Sequence, residues 1–336
     1  MTPSPRRRFR PADLFLVAPA LAWTVAACGA LSPGHLGRPL HPDPAAHQLT
    51  ATGAFDAPPA LTQAPRDPGH LTVVLLGDTG EPAPFQARLR AAIAAETSKD
   101  AVVVLGDLVY PEAPPCPTGA PDAAADALLA ERLGAIVGGL GAPTYLLVGN
   151  HDVDPLPVPA PRSRCLSAWV AAHPEHGLAM PATAYTVDFG HALLAVIDTN
   201  ALDDRQGAFV RAAFDAHPGV KLLAGHHTLK TYHDKQRQDL VRPWLARHGL
   251  RPDVYLNGHA HLLQLGRYDG LLAVTSGTGA TPRDAPACPP TCGPDQHFGS
   301  SVPGYAVLHV TRDALEIVFK DADGAPLHRL HGDLPR

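Results

Sequence analysis

Five short motifs in this chain set glycine beside residues able to hold a metal: Gly77-Asp78-Thr79-Gly80, Gly106-Asp107-Leu108-Val109-Tyr110, Gly149-Asn150-His151-Asp152, Gly225-His226-His227 and Gly258-His259-Ala260-His261. Between them they offer carboxylate, phenol, amide and imidazole donors. That mixture suits first-row transition metals and not Ca²⁺ or Mg²⁺ alone. Singly, each motif has an ordinary explanation. A Gly-Asp after a strand is usually a turn or a helix cap. A lone His-x-His is more often solvated or satisfied in a core than metal-bound, and Gly-Asn-His-Asp by itself is evenly balanced. The co-occurrence of all five, each behind an apolar run, is what points to a metal site.

The elements that must position these groups can be read from the apolar runs. Leu71–Leu76 and Ala101–Leu105 are short and partly β-branched, and each ends at Gly-Asp. Phe85–Glu96 between them has helix-forming composition, so the three predict a βαβ unit with a buried parallel pair. Further strands are expected at Thr144–Val148, Ala184–Asp188, Ala192–Asp198, Val220–Ala224, Val254–Leu256, Leu271–Thr275, Ala306–Val310 and Leu315–Phe319. Helices are expected at Ala123–Val137, Gln206–His217 and Lys235–His248. In open α/β sheets ligands gather at the carboxyl ends of strands, which would bring the five loops to one edge. Glycine beside each ligand lets the backbone turn sharply there. Residues from Leu71 to about Leu330 read as one α/β domain without internal repeats, and alternation in the last strands predicts antiparallel pairing.

Composition narrows the function classes. Lys and Arg total 27 against 32 Asp and Glu, a formal charge of -5, and no basic stretch lies outside the first ten residues, so nucleic-acid binding as the main role is disfavoured. Arg6, Arg7, Arg8 and Arg10 precede an apolar stretch, Leu14–Ala27, too short to span a bilayer (about 20 residues are needed) but suited to an export signal. It ends in Val25-Ala26-Ala27-Cys28, which resembles the lipobox of bacterial lipoprotein signals. That resemblance implies cleavage before Cys28, a lipid anchor on its sulfur and membrane contact through it; a plain secretory signal is the alternative. Arg6-Arg7-Arg8-Phe9 loosely resembles a twin-arginine signal. The expected organisation is a signal at 1–28, a Pro-rich tether at 29–70 and a folded domain at 71–336, placed in the bacterial cell envelope, the periplasm or outside the cell. With Cys28 set aside, Cys116, Cys165, Cys288 and Cys292 remain. An even number in an exported chain favours disulfides, Cys288 with Cys292 and Cys116 with Cys165 among three possible pairings. Zinc binding is the rival reading, weakened by the lack of paired CxxC spacing.

The order GD, GD, GNH, GH, GHxH resembles that of the calcineurin-like metallophosphoesterase superfamily, over roughly Leu71–Leu330. The resemblance implies a four-layer α/β/β/α sandwich of two mixed sheets with helices outside. It also implies a hydrolase for phosphoric esters. Many members begin with Asp-x-His, but here Gly80 stands at the histidine position. Tyr110, three residues after Asp107, looks like the compensating ligand of purple acid phosphatases. Gly258–Gln264 and Ser276-Gly277-Thr278-Gly279 are similar to the small, tartrate-resistant type.

Carried over residue by residue, this implies a first metal on Asp78, Asp107, Tyr110 and His261. A second would lie on Asp107 as a bridge with Asn150, His226 and His259. The hard phenolate and carboxylates favour Fe(III) at the Tyr110 site; the second site suits divalent Fe, Zn or Mn. Two such ions about 3.5–4 Å apart would clamp an in-line displacement in which a metal-bound hydroxide attacks a phosphate monoester.

His151 would contact phosphoryl oxygens or protonate the leaving group, with Asp152 orienting it. Asp154 is a further acid candidate, because the histidine that follows GNHD in tartrate-resistant enzymes is absent here. His227 is either a substrate-side imidazole or an ordinary partly exposed histidine, and Pro155–Pro161 would wall the pocket. The competing functions are a phosphodiesterase or nucleotide hydrolase on the same site, a non-catalytic metal-stabilised surface module, and a secondary redox role.

Overall fold

In the computed structural model, which describes residues 58–155, 161–230 and 240–334, the apolar run ahead of every motif is a largely buried strand. In chain order the strands are β1 (Ala60–Thr62), β2 (Leu71–Leu76), β3 (Ala101–Val104), β4 (Thr144–Leu146), β5 (Leu178–Ala179), β6 (Tyr185–Asp188), β7 (Ala192–Val196), β8 (Val220–Ala224), β9 (Val254–Asn257), β10 (Leu263–Tyr268), β11 (Leu271–Ser276), β12 (Gln296–Ser300), β13 (Gly304–Val310), β14 (Ala314–Asp321) and β15 (Pro326–Asp333). The helices are α1 (Gln86–Ala95), α2 (Ala123–Leu129), α3 (Arg162–Ala172), α4 (Asp204–Ala216) and α5 (Val241–Arg247). Asp122 caps α2, its carboxylate accepting from the backbone N–H groups of Ala124 and Ala125. The helix runs on through a π turn, Ala130–Gly134, into Ala135–Val137, so the expected Ala123–Val137 helix is continuous but locally widened.

The strands form two mixed sheets, β1-β6-β7-β8-β9-β11-β10-β12 and β15-β14-β13-β2-β3-β4-β5. β2 to β5 pair in parallel, and β13 joins them antiparallel along β2, as the alternation of the last strands predicts. The period of two divides the work of each buried strand. Val73 and Leu75 face the other sheet, packing with Leu222, Leu256 and Val274. Val74 and Leu76 face outward, under Leu89 and Ile93 of α1 and beside Trp169 of α3. On the opposite side Val210 and Phe214 of α4 and Trp244 of α5 cover Leu223 and Tyr255. The result is the four-layer α/β/β/α sandwich. Each fully buried Leu or Val contributes about 1.5–3 kcal/mol, so both sheets anchor the loops at their carboxyl edge firmly.

Several features depart from the sequence expectations. The end of the stretch expected as tether, 29–70, packs on the domain: β1 pairs in parallel with β6 and the Arg66 N–H donates to the Asp100 carboxylate, while residues 29–57 lie outside the described residues. A short run whose burial comes from one neighbouring strand carries little hydrophobic signature. β15 begins at a proline and is largely exposed, as an edge strand can be, and therefore lacked an apolar signal. α3 was not anticipated behind the proline-rich stretch. The helix expected at Lys235–His248 is seen from Val241, and residues 235–239 lie outside the described residues. The signal segment, Cys28 and most of the Pro155–Pro161 wall also lie outside them. Disulfides join Cys116 to Cys165 and Cys288 to Cys292. Among the described residues no helix is long and apolar enough to cross a membrane.

Candidate metal centre

The loops that follow β2, β3, β4, β8 and β9 meet at one edge of the sandwich, two sheets contributing to one cluster. Four residues there, Asp78, Asp107, His259 and His261, hold left-handed backbone with φ of 57°, 52°, 67° and 54°. Side chains rarely adopt this conformation, which costs on the order of 1–3 kcal/mol each and collects at functional sites. Here it reverses the chain directly after a strand and swings a donor across the sheet edge. The loops are stitched to one another: Asp78 N donates to Gly106 O at 3.0 Å, Gly80 N to Asp107 O at 3.1 Å, Tyr110 N to Gly80 O at 2.9 Å and Gly258 N to His226 O at 3.1 Å. Two glycines are required by this closeness. A Cβ at Gly149 would lie 2.1 Å from Asp107 Oδ1, and one at Gly80 only 2.4 Å from Val109 N.

Two overlapping donor groups result, Asp78 with Asp107 and His261, and Asp107 with His226 and His259; Asp107 belongs to both. In the first, the Tyr110 hydroxyl sits 2.8 Å from Asp107 Oδ2, 3.2 Å from Asp78 Oδ1 and 3.0 Å from His261 Nε2. In the second, His226 Nε2 lies 3.3 Å from Asp107 Oδ1, 3.2 Å from Asn150 Oδ1 and 3.2 Å from His259 Nδ1. The tautomers follow from the far side of each ring. His226 Nδ1–H donates to Leu105 O at 2.7 Å and His261 Nδ1–H to Thr281 O at 2.6 Å, leaving both Nε2 lone pairs turned inward. Lone pairs of nitrogen and oxygen thus converge with few protons between them. A cation satisfies that arrangement, and the donor set fits a pair of transition-metal ions.

The electrostatics agree. Burial lifts the Asp78 carboxyl above its usual range. Burial would lift Asp107 too, but the imidazoles of His226 and His151 hold it well below. For His226 burial opposes charge, yet Asp107 and Asp78 outweigh it and raise the imidazole to about 9. Burial, then Asp107 and Asp78, pushes the Tyr110 phenol well above its ordinary value, so only a strong cation would make it a phenolate.

The remaining predicted residues separate. His151 Nδ1–H donates to Pro111 O at 2.5 Å, which turns Nε2 toward the cluster, 3.9 Å from Asp107 Oδ2. Asp152, expected to orient His151, is engaged with the backbone of two loops. Its carboxylate accepts from the N–H groups of Gly149 (2.7 Å), Leu108 (2.9 Å) and Val109 (3.2 Å), tying the Asp107 and Asn150 loops together. Burial and Asp107 push its pKa up to about 7. His227 is not partly exposed. It is buried with Nδ1 2.8 Å from Thr199 Oγ1 and its ring 4.5 Å from that of His259, and burial beside His226 lowers it to about 3, a neutral packing imidazole. Asp154 accepts from Arg162 N at 2.8 Å and Nε at 3.1 Å, an ion pair directed at Arg162. Asn200 was missed. Its amide bridges Asp198 Oδ1 (2.9 Å) and Gly149 O (3.3 Å), bracing the Asn150 loop from the other sheet. The signal was present, since Asp198-Thr199-Asn200 also follows an apolar strand, but without a glycine beside it.

Comparison with known proteins agrees with this geometry. A match to the family described as calcineurin-like phosphoesterase spans residues 71–263. In fold the chain is similar to GAP50, the anchor in the inner membrane complex of Plasmodium, with a TM-score of 0.60 and 13% identity over 80% of this chain and 90% of that one. It is also similar to the purple acid phosphatase PPD1 from yellow lupin seeds, with a TM-score of 0.58 and 16% identity over 80% of this chain and 55% of that one. PhoD gives a TM-score of 0.52 and 14% identity over 81% of this chain and 70% of that one. No curated protein matches the sequence. At these identities the likeness concerns the fold alone.

Proposed function

The chain belongs to the calcineurin-like phosphoesterase family, and on that premise we propose that it is a binuclear-metal phosphomonoesterase of the purple acid phosphatase type. The observation that carries this reading is the sharing of Asp107 between two donor groups, with the Tyr110 hydroxyl reaching Asp78, Asp107 and His261 in one of them. Asp78, Asp107, Tyr110 and His261 would hold one ion, assigned as Fe(III). Asp107, Asn150, His226 and His259 would hold the other, a divalent Fe, Zn or Mn. Bound there, the ions supply Lewis acidity toward a phosphoryl oxygen and lower the pKa of water.

The chain's own residues do the rest. Leu105 O and Thr281 O fix the tautomers of His226 and His261, so that both present a lone pair without rearrangement. Asp152 and Asn200 hold the loops of Asp107 and Asn150 in register. His151, with Nδ1–H committed to Pro111 O, turns Nε2 toward the cluster, where it would carry a proton to the departing ester oxygen. The two disulfides support an oxidising compartment, in line with an exported enzyme anchored through Cys28.

One experiment tests the reading. The domain is purified aerobically, its metals and visible spectrum are measured, and p-nitrophenyl phosphate is compared with its bis ester. A purple phenolate-to-iron band lost in Tyr110→Phe, with faster turnover of the monoester, is the expected outcome. Faster turnover of the diester would sink the monoesterase assignment, and a colourless, fully active zinc or manganese protein would sink the ferric one.

A further inference from the structure

One short segment grips His151 at two points. Its Nδ1–H donates to Pro111 O at 2.5 Å, and its carbonyl accepts from Ala113 N at 2.9 Å. The direction of Nε2 therefore depends on where residues 111–113 lie, and these leave the loop behind β3 directly after Tyr110. Connecting segments of this kind shift easily unless something holds them.

Arg162, the first residue of α3, supplies that hold. Its Nη1 donates to Ala113 O at 3.0 Å and pairs with Glu112 Oε2 at 2.5 Å. Its Nε and backbone N donate to the two oxygens of Asp154, at 3.1 Å and 2.8 Å. One residue thus ties the segment that grips His151 to Asp154, three positions after His151 in the chain. The side chains of Arg162, Glu112 and Asp154 are only 19%, 28% and 13% exposed, so water screens these charge-assisted bonds less than it would on an open surface. The Cys116–Cys165 disulfide joins the same loop to the same helix, three residues further along each. Neither Glu112, Ala113 nor Asp154 belongs to the metal donor groups. Tyr110, next to the segment, is held separately through Gly80 O and the three partners of its hydroxyl. The guanidinium therefore reaches the chemistry through His151.

We propose that Arg162 is a positioning residue for departure of the leaving group: by clamping residues 111–113 to Asp154 it fixes the ring of His151. The assignment rests on the phosphomonoesterase reading. In that reaction the ester P–O bond breaks as water oxygen bonds to phosphorus. The departing oxygen takes the proton from His151 Nε2, a proton from the attacking water restores it, and inorganic phosphate is the second product.

The test compares phenyl phosphate, whose basic phenolate needs a proton to leave, with p-nitrophenyl phosphate, whose weakly basic nitrophenolate leaves without one. In the metal-loaded enzyme His151→Ala should lower the ratio of phenyl to p-nitrophenyl turnover about 10²-fold, the lower end of what a positioned acid supplies. Arg162→Met should lower the ratio about tenfold, and should add nothing to it in a His151→Ala background. Arg162→Lys keeps a charge for Glu112 and Asp154 but not the planar fork, so it should lower the ratio about threefold, and it carries the same test if Arg162→Met does not fold. A second readout is independent of turnover. In zinc-loaded protein labelled with nitrogen-15 histidine, the Nδ1–H signal missing from His151→Ala should shift or vanish in the Arg162 variants, while the Nδ1–H signals of His226 and His261 stay in place. A ratio that falls with His151→Ala but not with either Arg162 variant would overturn the positioning role alone, as would equal disturbance of all three imidazole signals. A wild type inert toward both esters, or a ratio indifferent to His151→Ala, would overturn the parent reading and the positioning role with it.

Discussion

Replacing Gly80 with alanine should disable the site without touching a donor atom. An added Cβ would stand 2.4 Å from Val109 N, 2.6 Å from Val109 Cα and 2.7 Å from Leu108 C. All three are backbone atoms, so no side-chain rotation relieves the clash. The Asp107–Tyr110 loop must retreat by about 1 Å to restore ordinary contact, an overpacking change that typically costs about 1–3 kcal/mol. Tyr110 is the residue most exposed to the shift, because its N–H donates to Gly80 O at 2.9 Å and its hydroxyl lies 2.8–3.2 Å from three partners. A further ångström takes those contacts beyond hydrogen-bond reach, and displacements of that size can cost roughly 10²-fold in turnover. Asp107 moves with the same loop, so Gly80→Ala should lose more activity than Tyr110→Phe. Turnover of p-nitrophenyl phosphate and the visible band measure the loss, and a urea melt measures the stability. Gly80→His, which restores the commoner superfamily residue, should be equally inactive because the loop already fills that space. If Gly80→Ala kept turnover within threefold of wild type with an unchanged band, the packing argument would be wrong.

Alanine at Asn150 or His226 should abolish turnover while far-UV circular dichroism stays native; retained hydrolysis would refute the ligand assignment. Removing the Cys116–Cys165 bond, which spans 49 residues, should cost about 4 kcal/mol by loop entropy, against about 2 kcal/mol for Cys288–Cys292 with its separation of 4. Urea midpoints of the two Cys→Ser pairs would reverse that order if the reasoning failed. Burial opposes the charge on Glu96, but hydrogen bonds from Lys320 and Tyr305 outweigh it and set its pKa below the usual 4.5. The stability it supplies is therefore complete above pH 4.5 and is lost as pH falls through the lowered value. Glu96→Gln should flatten that acid limb, and melts from pH 6 to pH 3 identical to wild type would dismiss the interaction.

How far the sequence was legible follows from burial. Runs buried on both faces, such as Val73-Val74-Leu75-Leu76, are apolar whatever loop follows, so the five strand ends and the motifs behind them could be read directly. β15 shows the opposite limit. Its exposure leaves no pattern except through pairing with β14, a long-range fact. The same holds for side-chain roles. Asp152 sits in a motif rich in catalytic residue types, but its environment decides its use: three backbone N–H groups fill its carboxylate, and a carboxylate so engaged scaffolds rather than reacts. His227 reads as a functional neighbour of His226 until its burial is known.

Gly80 and Tyr110 are physically linked. Space denied to a side chain at position 80 is space taken by the backbone at 108–109, and that backbone delivers the Tyr110 hydroxyl to Asp78 and His261. A side chain at 80 and this course of the 108–109 backbone are thus alternatives for one volume. The left-handed turns at Asp78, Asp107, His259 and His261 argue in the same direction. At about 1–3 kcal/mol each they consume a large part of the 5–15 kcal/mol that keeps a domain folded. Such strain persists only where the surroundings over-determine it. Here the cross-loop hydrogen bonds, the Asp152 carboxylate and the Asn200 brace do so, and a bound metal pair would complete the set by giving the converging lone pairs their counterion.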